Sequence, residues 1–115
     1  ASDVKADAAI YLSVWDLING KADITAYQKT YNAVSDNGAK VVDVLPDAVI
    51  AGQPRILEKY KSVYLPANYT IPDNVRSILL SYKNKLVIQQ PGKAGTLDIY
   101  GRAASKRLCP DSPLE

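Results

Sequence analysis

Apolar and polar positions alternate along this chain in two ways: as short unbroken apolar runs, and as single apolar stripes of helical period. The runs Val63-Tyr64-Leu65 and Leu86-Val87-Ile88 lack the alternation of a sheet with one wet face. They therefore predict strands covered on both faces, as in a parallel α/β sheet. Between them Val75, Ile78, Leu79 and Tyr82 fall at i, i+3, i+4 and i+7, the stripe of a helix lying on that sheet. Pro72 suits the first helical position, Asp73 the positive end of the dipole, and Lys83-Asn84-Lys85 brings positive charge to the carbonyl end. Residues 62–90 thus read as strand, loop, helix, strand.

The same grammar extends to both sides. Ala8-Ala9-Ile10-Tyr11-Leu12 predicts a first strand, leaving through Ser13-Val14-Trp15-Asp16 into a loop at Asn19-Gly20-Lys21. Asp23 is the expected N-cap of a helix whose Tyr27, Tyr31 and Val34 form one stripe, and Gly38 suits its left-handed C′ position. A second strand is expected over residues 40–45, broken by Pro46-Asp47. It belongs at or near a sheet edge, because an unpaired Asp43 buried between layers costs about 3 kcal/mol or more. The pattern weakens between positions 47 and 61, with one turn at Val49-Ile50 and a short helix opened by Pro54 through Ile56, Leu57 and Tyr60. A fifth short strand is expected at 96–100, after Gly92-Lys93-Ala94-Gly95.

With right-handed crossovers this order gives a flavodoxin-like three-layer α/β sandwich with a mostly parallel sheet in strand order 2-1-3-4. The chain's 115 residues suffice for one domain, expected over residues 1–101. A flexible tail is expected over 102–115, with Leu114-Glu115 reading as a vector-derived end.

Charge and composition narrow the partners. Lys and Arg number 14 against 12 Asp and Glu, a net +2 spread too evenly for a nucleic-acid surface. Every apolar stretch is interrupted well before the roughly 18 residues a membrane span needs. The single cysteine, Cys109, excludes an internal disulfide, and the sequence assigns no compartment. The triplet Asn68-Tyr69-Thr70 is a glycosylation sequon, a pattern that also arises by chance.

Candidate chemistry is bounded by what is missing. Without histidine there is no Ser-His-Asp or Cys-His catalysis, and most zinc sites lose their commonest ligand. Cys109 lies beyond the last strand, away from any strand-to-helix elbow that would activate it. Ser13-Val14-Trp15-Asp16 has no glycine with which to approach a pyrophosphate, and Gly92-Lys93-Ala94-Gly95 precedes a strand rather than a helix. No cofactor is expected. What remains is a polar and aromatic rim at the carboxyl ends of the strands, made by Trp15, Asp16, Asp47, Asn68, Tyr69, Gln89 and Gln90. Such a rim suits sugar binding by stacking and hydrogen bonding, or contact with another domain. Asp16 with Asp47 is the one pair to weigh for acid/base hydrolysis or a shared cation.

Several stretches carry a family likeness. Ala26-Tyr27-Gln28-Lys29-Thr30-Tyr31-Asn32-Ala33-Val34, then Asn37-Gly38-Ala39-Lys40-Val41-Val42-Asp43-Val44-Leu45-Pro46-Asp47, and Tyr60-Lys61-Ser62-Val63-Tyr64-Leu65-Pro66-Ala67 resemble the middle domain of family 42 glycoside hydrolases. That is the β-galactosidase trimerisation domain, built like a class I glutamine amidotransferase. The chain departs from it at Lys83-Asn84-Lys85-Leu86-Val87, where the family has a glycine-rich turn. The resemblance implies a non-catalytic accessory or oligomerisation domain of a larger carbohydrate-active enzyme. Its expected partners are a neighbouring catalytic domain or identical subunits. The alternative is a small carbohydrate-binding module using the strand-end rim.

Overall fold

A computed structural model describes residues 8–36, 42–104 and 108–109. Four strands, β1 (Ala8–Leu12), β2 (Val42–Pro46), β3 (Ser62–Leu65) and β4 (Leu86–Ile88), form one sheet in the order β2-β1-β3-β4. Every pairing is parallel. This is the flavodoxin-like arrangement expected from the sequence, with β2 at an edge. Asp43, half-buried on that edge, accepts a hydrogen bond from the Tyr60 hydroxyl at 2.8 Å. Burial, and then the Asp43 carboxylate, push the Tyr60 phenol up to about 12.

The register divides the strand residues between two unlike faces. Ala9 lies beside Asp43 and Val63, and Val63 beside Leu86, in a row on one face. With Tyr11, Leu45 and Leu65 this face packs against α3 (Asp47–Gly52), a 3-10 turn (Ile56–Lys59) and α4 (Asp73–Ser81), forming the main core. Val75 and Leu79 of α4 are fully buried there and Ile78 and Tyr82 pack beside them, as the stripe predicts. Pro72 stands one position earlier than expected, as N-cap.

The opposite row runs Val44, Ile10, Tyr64, Val87. Helix α2 (Ile24–Asp36) lies over β1 and β2 on this side, with Thr30 and Val34 buried. Its inward stripe is Tyr27, Thr30 and Val34 rather than the expected Tyr27, Tyr31 and Val34. Tyr31 is turned outward at 45% exposure, because the i+3 position of the helix faces the sheet. Asp23 caps the helix through the Ala26 amide at 3.0 Å. Gly38, and positions 40 and 41 of the expected second strand, lie outside the described residues. Over β3 and β4 helix α2 reaches only the carboxyl ends, through Tyr27 to Asn68 and Thr30 to Gln89, and among the described residues Val87 is 38% exposed and Tyr64 half-buried. The expectation that both faces of these strands are covered therefore holds for the α4 side only.

Three further expectations change. Residues after β1 form a short helix, α1 (Val14–Ile18), rather than a loop, because the Ser13 side chain accepts the Asp16 amide and nucleates the turn. Residues 96–100 form no strand: Leu97 alone makes bridges, to Thr70 and Ala103. Asp98 explains this, since its carboxylate accepts the Tyr100 and Arg102 amides at 2.9 Å and folds the segment into a turn. Of the expected tail, positions 105–107 and 110–115, with Leu114-Glu115, lie outside the described residues, and the described part is tied to the domain. The Ala104 amide donates to the Thr96 carbonyl at 2.9 Å, and Leu108 is 3% exposed within the core.

Two polar side chains secure the periphery. Lys85 follows α4 in a second 3-10 turn (Lys83–Lys85), and its Nζ donates to the carbonyls of Leu57, Glu58 and Tyr60 at 3.2, 3.3 and 2.9 Å. Arg76, buried on α4, donates to the Ile71 and Gly95 carbonyls at 2.9 and 3.3 Å. Gly95 has φ +65, and a Cβ there would stand 3.1 Å from Leu108 Cβ, so the turn that receives Leu108 requires glycine.

Leu108→Ala should lower unfolding stability by about 2–4 kcal/mol in urea denaturation, the cost of emptying a packed leucine site. A free tail would leave the midpoint unchanged.

Candidate functional site

The carboxyl ends of β1, β2 and β3 converge on a buried polar network. Asp16, on the first turn of α1, is 0% exposed. Its Oδ2 and Oδ1 accept the consecutive amides of Tyr69 and Thr70, each at 2.9 Å. Ser13 completes the clasp, donating its hydroxyl to the Thr70 carbonyl at 2.6 Å. Asp47 opens α3 and faces the other way: Oδ1 accepts the Tyr11 hydroxyl and Oδ2 the Val14 amide at 2.9 Å, the latter at the start of α1. One carboxylate thus anchors the loop after β3, and the other the helix after β1.

Asn68 lies between them, fully buried. Its Nδ2 donates to the Tyr11 carbonyl at 3.0 Å and to the Tyr27 hydroxyl at 2.8 Å. The same hydroxyl accepts the Ser13 amide at 3.3 Å, and Thr30 donates to Gln89 Oε1 at 2.7 Å. The sequon is thereby spent: a glycan would replace one of the two bonded hydrogens of an Asn68 amide that is 0% exposed.

Burial sets the electrostatics. It raises the Asp16 carboxyl above its ordinary value, against the opposing hydrogen bonds of Thr70 and Tyr69. Asp47 is raised for the same reason, against those of Tyr11, Val14 and Trp15. Burial, then the Asp47 carboxylate, hold the Tyr11 phenol well above its usual range, and burial lifts Tyr27 to about 12. The phenols are therefore fixed donors or acceptors at neutral pH. Each oxygen of both carboxylates already accepts a bond from the fold. Among the described residues no group of three or more His, Cys, Asp or Glu is arranged to hold a metal ion.

The structure brings Asp16, Asp47, Asn68 and the Tyr69 backbone together beneath the surface. Tyr69's ring lies half-buried under the Lys93 ammonium, 5.6 Å from its centroid. Gln90 stands apart, its carbonyl accepting the Lys93 and Ala94 amides at 3.0 and 3.1 Å. Trp15 and Asp47 are the rim residues that line a hollow. With Val14, Ile18, Ala48, Ala51 and Val75 they enclose a mainly apolar recess of about 330 Å³ between α1, α3 and the start of α4.

A second recess of about 370 Å³ adjoins the first, sharing Pro72 and Asn74 with it, and is lined further by Asp73, Asp98, Tyr100 and Arg102. None of these six belongs to the rim expected from sequence. The one available signal was the Asp98 to Gly101 turn chemistry, which presents an aromatic at its tip. Set against protein-family models, curated proteins and solved structures, the chain matches none.

Raised carboxyl groups fix the sign of the pH dependence. Asp16 and Asp47 bind protons more readily folded than unfolded, so their contribution is fully present below about pH 4, the unfolded carboxylate value. It is lost as pH rises through the higher folded values. Glu58 and Asp98, lowered by Arg55 and by the Arg102 amide respectively, act in the opposite sense below that pH. Urea midpoints measured upward from pH 4 should therefore decline, and the decline should flatten in Asp16→Asn and Asp47→Asn.

Proposed function

We propose that this chain is a non-catalytic accessory domain of a larger carbohydrate-active enzyme, acting by contact with a neighbouring catalytic domain or identical subunits. The observation that carries the non-catalytic part is the use made of Asp16 and Asp47. A general acid or base needs a carboxyl group within reach of substrate. Here all four oxygens accept bonds from the chain's own amides and a tyrosine, in a sequence without histidine. The contact part draws support from an apolar row of the sheet that the described residues leave partly exposed. Val44, at 48% exposure, and Val87 lie at the two ends of the apolar row through Ile10 and Tyr64, which helix α2 covers only in part. The resemblance to the family 42 middle domain agrees with both and supplies the enzyme class.

A second reading, a small carbohydrate-binding module, is favoured by the placement of Trp15 in a recess at the strand ends. The two are compatible, since an accessory domain is free to hold part of a glycan.

The purified chain should release no chromophore above buffer rate from a panel of aryl glycosides. Turnover that disappears in Asp16→Asn or Asp47→Asn would overturn the non-catalytic reading.

A further inference from the structure

The two recesses at the start of α4 form one groove, because Pro72 and Asn74 line both. One end is apolar and carries Trp15. The other carries Tyr100, which at 74% exposure is the most open large apolar side chain of the described residues. A single exposed aromatic is ordinary on a protein surface, but Tyr100 has a defined setting. The Asp98 carboxylate orders its turn through two amides, Gly101 takes φ +79 just after it, and the Arg102 guanidinium lies 5.0 Å from the ring centroid. The ring is thereby held as a platform with low conformational freedom.

Charge selects among ligand classes. Asp73 is paired with Arg76 at 2.5 Å and Asp98 with Arg102 at 3.4 Å. The oxygens of Asp47, at the apolar end, are bonded to Tyr11 and Val14. Among the described residues no unbalanced cation faces the groove to draw a phosphate or sulfate, and no unopposed carboxylate to draw a polyamine. Polar capacity nevertheless remains. Asn74 accepts the Val75 amide through Oδ1, which leaves its amide hydrogens unspent among the described residues. Arg102 pairs through Nε, with its terminal nitrogens likewise unspent. A ligand that offers flat apolar faces to two aromatic rings, many hydroxyls to an amide and a guanidinium, and no net charge is a neutral sugar chain.

We infer that this groove, from Trp15 across Asn74 to Tyr100 and Arg102, binds a neutral oligosaccharide. It takes the sugar-binding reading of Trp15 and relocates the rest of the site. Asp16, Asp47 and Asn68 shape the groove from below, and its contacts come from the α4 start and the 98–102 turn. The inference rests on the non-catalytic reading in one respect only: the bound glycan is returned uncut.

Trp15 is the only tryptophan of the chain, so its fluorescence reports the site directly. Neutral gluco-, galacto-, manno- and xylo-oligosaccharides, with uronic-acid and sulfated chains as charged arms, are titrated against the purified chain by fluorescence and calorimetry. The expected result is saturable binding of a neutral chain accompanied by a Trp15 shift. Tyr100→Ala should weaken it about tenfold, as loss of a stacking contact does, at an unchanged melting temperature. Asn74→Ala and Arg102→Ala should weaken it too, and Tyr31→Ala, an exposed ring on the opposite side of the sheet, should not. A flat response across the neutral panel, tighter binding of a charged chain, or an unchanged affinity in Tyr100→Ala would each overturn the inference. Mass analysis of the recovered sugar separates the two readings: cleaved sugar refutes the non-catalytic role and leaves the groove standing, whereas absence of binding does the reverse.

Discussion

The carboxylate of Asp16, shut away from water, is the constraint on which the strand-end architecture depends. A buried carboxylate is tolerable only if the chain around it supplies donors. Two successive amides after β3 do so, and in doing so fix where that loop passes relative to α1. Asp47 repeats the device with a tyrosine hydroxyl and the first turn of α1. Two acids that in another α/β protein would face a substrate here hold backbone in place. The surface above them is consequently shaped by what they position: Trp15 on one side, and the loop leading to Pro72 on the other.

The sheet is unequal on its two sides. The side facing α3 and α4 is closed by a continuous apolar core that reaches from Ala9 to Leu108. Among the described residues the other side has one helix, lying over β1 and β2, and the row Val44, Ile10, Tyr64, Val87 passes from exposed to buried and back again. Parallel sheets ordinarily lie under helices on both faces. The half-covered side and the groove at the strand ends are separate surfaces, and a domain of this size can meet a protein with one and a glycan with the other.

Much of the fold was legible in the sequence because its signals are local. Apolar runs marked β1, β3 and β4, the Val75 to Tyr82 stripe marked α4, and Pro46 marked the end of β2. The failures have a common cause in tertiary partners that the sequence does not display. Tyr31 and Thr30 are one position apart, and only the direction of the sheet decides which is buried. Asp98 turned an expected strand into a bend by bonding its own neighbours. Leu108 looked like tail until Gly95 opened a place for it. Of the expected rim, the sequence located the strand ends correctly but not the depth of each residue: Asp16, Asp47 and Asn68 are polar, and polarity alone says nothing of whether the bonding partner is water or backbone. Tyr100 and Arg102 escaped notice because they are brought beside Asn74 by the turn and not by any spacing.

The central position of β1 also governs the order in which this chain takes shape. β1 is complete at Leu12, yet its partners begin at Val42 and Ser62, and the amides that neutralise Asp16 lie 53 and 54 residues further along. Every contact that makes β1 an interior strand is thus non-local, which slows folding and concentrates it in a late, cooperative step. In chain order β2 can pair with β1 first, but β1 becomes an interior strand, and Asp16 gains its donors, only when β3 and the loop beyond it are available. The clasp at Asp16 is therefore a closing event: it registers that β1 and β3, distant in sequence, have come side by side.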